Sequence, residues 1–203
     1  MKKVLLPGLI LTLLLFPPIR PTAGEEEDGK QAFMPKGGHP YSELESSDRC
    51  LSCHRKIHRQ YQASAMARAQ VLPWDQAEYF KLLLPHVRKN PAMKALENAC
   101  IRCHAPAAYL AGDVPPPEKD RANPMADGVI CDVCHTMTGF MGDQPYNGNY
   151  RIEPGMLKYG PRKDVESYHH ESDYHPIQTS AEMCGTCHDE TSFYGAWVKE
   201  TYR

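Results

Sequence analysis

The sequence predicts a compact, mostly α-helical and coil chain with one short β-hairpin, and a core built largely on bound cofactor. Three observations predict it. All 8 cysteines fall in four C-x-x-C pairs. Each pair is followed directly by histidine, although only 10 of 203 residues are histidine. Hydrophobic content is 41%, with leucine concentrated near the start, and 18 prolines and 14 glycines interrupt the chain.

The copies are CLSCH at 50–54, CIRCH at 100–104, CDVCH at 131–135 and CGTCH at 184–188. Two cysteine pairs can close a tetrahedral zinc site, but zinc asks for no histidine after each pair. A redox-active disulfide also uses C-x-x-C, and four such switches in so small a chain is improbable. C-x-x-C-H is the attachment sequence for c-type haem. On that reading Cys50, Cys53, Cys100, Cys103, Cys131, Cys134, Cys184 and Cys187 form thioethers. His54, His104, His135 and His188 then ligate iron from one face. The count predicts four covalently attached haem c groups.

The N-terminus agrees. MKKVLLPGLILTLLLFPPIRPTAG has two lysines, an apolar run from Val4 to Phe16, then small residues. The 13-residue run is short for a bilayer span and reads as a signal peptide over 1–24. An uncleaved anchor is the alternative, and would be the chain's contact with a membrane. Export, to the periplasm or beyond, fits cysteines that carry haem outside the cytoplasm. Removing 1–24 takes away Lys2, Lys3 and Arg20 and no acid, leaving a formal charge of −5. That charge speaks against nucleic acid.

The mature chain has about 45 residues per haem, so the porphyrins themselves form much of the core. Residues 25–41 are acidic, then rich in Gly and Pro, and are expected to be loose; 42–203 form the tetrahaem domain. Ser47 and Asp48 are placed to cap a helix running through the first motif into RKIHRQYQASAMARAQ. Asn90-Pro91 opens a helix into Cys100, with Asn as cap and Pro at the first helical position. Ser180 caps a short helix delivering Cys184. Residues 111–127 read as a proline-rich loop, and Asn147-Gly148 between two tyrosines as a hairpin turn. Motif spacings of 50, 31 and 53 residues argue against a tandem repeat.

Each iron has a second face. Six histidines lie outside the motifs: His39, His58, His86, His169, His170 and His175. Supply exceeds a demand of four, so histidine on both faces of every iron is available, an arrangement suited to electron transfer. His169, His170 and His175 cluster before the last motif; the bland reading is a polar loop. His58 lies four residues after His54, on the same face of a helix, or is an ordinary surface histidine. His86 follows a leucine run. His39 would ligate within the chain, stay free, or reach a neighbouring subunit.

The segments CLSCHRKIHRQYQASAMARA, NACIRCHAPAAYLAGD, DGVICDVCH, YGPRKDV and TSAEMCGTCHDETS resemble, in order, the multihaem cytochrome c-554 family. The resemblance covers most of 42–194. It implies a cytochrome passing electrons between redox partner proteins outside the cytoplasm, with closely stacked haem pairs. Two departures matter. Met66 in SAMAR stands where relatives place histidine, either as a thioether ligand or, more in keeping with methionine's use, as packing. The chain ends in VKETYR, which reads as a helix cut in progress, so four is the haem count of this chain.

No phosphate loop, dinucleotide fingerprint or zinc-protease helix is present, nor a serine nucleophile elbow. Three function classes follow. The first is an electron carrier with every iron capped. The second is an enzyme acting on a small nitrogen or sulfur oxyanion at one open iron, where Arg102, Lys119 and Arg121 offer charge. The third is a subunit of a conducting filament.

Overall fold

The computed structural model describes residues 33–119, 123–191 and 197–200. The expected signal peptide over 1–24, residues 25–32 and Arg121 lie outside the described residues. Short helices joined by irregular chain dominate: α1 Ser47–Cys50, α2 Arg55–Gln62, α3 Pro73–Gln76, α4 Leu84–Lys89, α5 Ala99–His104, α6 Pro106–Ala111, α7 Cys131–His135 and α8 Ala181–His188. A widened helical stretch, Ala77–Leu83, joins α3 to α4, and a tight-turned one, Pro91–Asn98, leads into α5. Among the described residues, strand pairing is confined to three two-stranded ribbons. They are β1 Met137–Phe140 with β2 Tyr150–Ile152, β3 Leu157–Gly160 with β4 Glu171–Tyr174, and β5 Asp189–Thr191 with β6 Trp197–Glu200.

Local chemistry explains most of these boundaries. Ser180 accepts from the Glu182 amide at 3.1 Å and starts α8, as expected. The first motif differs. Ser46, not Ser47, caps α1 by accepting from Asp48, and the helix breaks within CLSCH before restarting at Arg55. Ser47 is buried and does other work: its hydroxyl accepts from the Cys131 amide at 3.0 Å, closing the start of α7. Asn90 likewise faces backwards. Its side chain donates to the His86 carbonyl at 2.9 Å and so serves the end of α4 rather than the start of the next helix.

The expected hairpin forms as β1 and β2, which are antiparallel. Asn147 (φ 53°) and Gly148 (φ 81°) make the turn, closed by the Asn149 amide on the Tyr146 carbonyl at 3.1 Å. Buried Asn149 then donates to the Met141 and Gln144 carbonyls, tying the loop to itself. The second and third ribbons were not foreseen, and β6 puts 198–200 in a strand where the sequence reads as a helix cut in progress. β3 and β4 pair in parallel, which carries His170 and His175 at the two ends of β4.

The protein core is small and centred on α6, where Ala105, Ala107, Ala108 and Leu110 are 0% exposed. Alanines there let neighbouring chain approach closely. Residues 33–41, expected to be loose, are docked on this helix. Gly37 and His39 amides bond to the Tyr109 and Leu110 carbonyls, and the Tyr109 hydroxyl donates to the Met34 carbonyl. Gly37 and Gly112 touch at positive φ; a Cβ on Gly112 would lie 3.2 Å from the Gly37 Cα. Among the described residues, no helix is long and apolar enough to cross a membrane.

Candidate metal centres

All four motifs end at a helix boundary. In α5, α7 and α8 the two cysteines lie within one helical turn and the histidine sits at the last helical position. In the first motif the turn after α1 takes that role, and His54 precedes α2. None of the eight cysteines is disulfide-bonded, and all are partly or fully exposed. Among the described residues, no three His, Cys, Asp or Glu side chains converge as a metal cluster, so the pairs do not assemble the four-sulfur zinc site.

The motifs meet in two couples. The Cys50 thiol donates to Cys131, which pushes Cys50 far up, helped by burial, and holds Cys131 down at about 6. In the same way Cys103 donates to Cys187, raising the first thiol and lowering the second. As thioethers these sulfurs would not titrate. What persists is the adjacency of motif 50–54 to motif 131–135, and of motif 100–104 to motif 184–188.

Two motif histidines have the Nδ1 side of the ring engaged by an oxygen. A metal-bound imidazole normally donates its other N–H to a carbonyl or carboxylate. His135 Nδ1 lies 2.8 Å from the Tyr159 carbonyl, and His104 Nδ1 lies 2.8 Å from Asp75 Oδ1 and 3.2 Å from the Ala69 carbonyl. These oxygens only accept, so Nδ1 carries the proton and Nε2 keeps its lone pair. Beside Ala69, the fully buried Gln70 has a side-chain Nε2 with no hydrogen-bond partner, a state proteins avoid unless another group completes it. Large apolar side chains stand out near the motifs, including Leu51, Ile57 and Trp74, the last 76% exposed. A flat apolar cofactor fits that surface.

The distal candidates separate. His170 faces His54 with ring centroids 6.4 Å apart and planes 24° from parallel. The Glu171 carbonyl accepts from His170 Nδ1 at 2.9 Å, leaving Nε2 free. His39 is similarly prepared, with Nδ1 2.9 Å from the Glu43 carboxylate. The others are not. His58 is buried with Nε2 on Asp48 at 3.3 Å. His175 Nδ1 accepts from the Ile177 amide, so its proton sits on Nε2. His86, His169 and Met66 are exposed. Arg102 is held over the Phe33 ring at 3.5 Å. Sequence reasoning missed Asp75 and the Tyr159 carbonyl and gave Ser47 a different partner, since contacts made across the fold leave no mark on motif spacing.

The family described as cytochrome c554 and c-prime matches residues 49–136, which hold the first three motifs. Among solved structures, the chain is similar to a penta-heme cytochrome c552 from Thermochromatium tepidum. The TM-score is 0.51 at 18% identity, over 79% of this chain and 49% of that one. The chain thus spans about half the length of that protein, and the likeness shows the fold. No curated protein matches the chain. The motif-bearing match and the shared fold support a multihaem c-type cytochrome.

Proposed function

We propose that the chain is an exported tetrahaem cytochrome that passes electrons between redox partner proteins outside the cytoplasm, through haems held as two close pairs. The observation that carries the reading is the thiol contact between motifs, Cys50 with Cys131 and Cys103 with Cys187. Groups tied to neighbouring sulfurs would be brought close together. Haem c supplies a one-electron iron couple at each motif. The chain's own part is orientation. Tyr159 and Asp75 fix the rings of His135 and His104, and His170, its ring 6.4 Å from that of His54, is the residue that would hold the second face of that iron. Histidine on both faces changes little between redox states and keeps the potential low relative to His/Met ligation. The apolar leader and the attachment chemistry support export.

The alternative reading is an enzyme with one uncapped iron. An iron left with an open face would act on a small nitrogen or sulfur oxyanion.

Visible spectra of the reduced protein, with and without carbon monoxide, decide between the two. Sharp c-type bands that ignore carbon monoxide, with four haems per chain by pyridine haemochrome, support the carrier. A shifted fraction near one haem in four moves the enzyme reading ahead. His170→Ala is expected to add one carbon monoxide-reactive haem to whatever the parent shows. An unchanged spectrum would remove His170 from the ligand set.

A further inference from the structure

His104 differs from His135 in what holds its ring. His135 rests on a neutral backbone carbonyl. His104 rests on a carboxylate, Asp75 Oδ1, at 2.8 Å, and that carboxylate is 16% exposed. An anion on the ring proton gives the imidazole imidazolate character and makes it a stronger donor, and hydrogen bonding to an axial ligand is one of the protein's levers on haem potential.

Asp75 is held in place by its neighbours. Pro73 starts α3. Gln76 donates to the Gln70 carbonyl at 2.7 Å and accepts from the Lys119 amide at 3.1 Å. The carboxylate therefore approaches His104 from a braced turn. The surrounding field has the same sign, with Glu78 and Glu190 also acting on this motif at Cys100. At motif 131–135 the buried carboxylate of Asp132 is paired with Lys158.

We propose that Asp75 is a positioning residue that acts through His104 to make the haem at 100–104 the more strongly reducing centre, favouring its ferric state over that of the haem at 131–135. This rests on the haem reading above. It gives the molecule a direction, with electrons falling away from motif 100–104.

The test is Asp75→Asn in the haem-loaded protein, which keeps the shape and removes the charge. Haem per chain is counted first, then spectroelectrochemical titration and electron paramagnetic resonance of the oxidised protein are run. The expected result is an unchanged haem count, one couple moved to higher potential, the other couples unmoved, and one low-spin signal shifted. Asp75→Glu should return that couple toward the parent value. Superimposable titrations and resonance spectra at equal haem count would overturn the proposal. If Asp75→Asn loads fewer haems, Asp75→Ser is read in the same way, and an unmoved couple there overturns it too. A parent protein without c-type bands would be a separate failure, that of the haem reading itself.

Discussion

The two motif couples use the same five-residue pattern and sit in different surroundings. Motifs 50–54 and 131–135 meet through their first cysteines and are joined by polar ties. Ser47 caps α7, the Glu45 amide donates to Asp132, and Lys158 reaches Asp132 from β3. Motifs 100–104 and 184–188 meet through their second cysteines, under the loop between β1 and β2. There the Gly148 amide donates to the Thr186 carbonyl, and fully buried Tyr150 donates to the Arg102 carbonyl. One couple is pinned by charge at its edge; the other is covered by packed loop. The motif fixes what is attached, and the neighbourhood fixes how firmly it is held and at what potential.

The comparison breaks most sharply at Lys158. Its ammonium is 11% exposed and the Asp132 carboxylate 2%. Lys158→Ala leaves that carboxylate buried without its partner, and removing one side of such a pair costs about 3–5 kcal/mol. The expected outcome is a large drop in the denaturation midpoint of the haem-loaded protein. The loss should be led by the spectral signature of the couple at 50–54 and 131–135, since Asp132 lies inside its second motif. A midpoint equal to the parent's would mean that the ion pair does not hold this couple.

On the other side the sensitive position is Gly148. Its φ of +81° is costly for any residue with a Cβ, and that atom would meet Arg102 Cβ at 2.9 Å and Cys103 Sγ at 3.3 Å. Gly148→Ala is expected to cost about 1–3 kcal/mol through strain and displaced loop. Calorimetry of variant and parent checks it. If Lys158→Ala and Gly148→Ala disturb the same haems, the two couples are one cooperative unit and the contrast between them is structural only.

Much of this was legible in the sequence, and the parts that were not share a cause. The helix into Cys100, the Ser180 cap and the Asn147-Gly148 turn are local, so neighbouring residues specify them. Ser47 was read as a cap for its own helix because serine before a helical run usually is one. Its real partner is the Cys131 amide, contributed by another helix. The same holds for Asp75 on His104 and for the parallel pairing of β3 with β4. Residues 33–41 look loose by composition, yet they are ordered by the alanine surface of α6, which their own sequence cannot announce. The facing of His54 by His170 was available only as one of six candidates, because ring opposition depends on where a ribbon returns.

The smallest expected effect tests the covered couple at its centre. Tyr150 is 0% exposed, and its hydroxyl donates to the Arg102 carbonyl at 2.9 Å. Burial pushes the phenol well above its usual value, so it stays protonated and donates throughout the neutral and mildly alkaline range. Tyr150→Phe keeps the ring and removes one hydrogen bond, a loss of about 1 kcal/mol. The stability difference should be the same at neutral and mildly alkaline pH, since the group lost does not titrate there. Denaturant midpoints at two pH values measure it. A difference that grows with pH would mean that the hydroxyl ionises after all, and that the loop between β1 and β2 admits water to the sulfurs of Cys103 and Cys187.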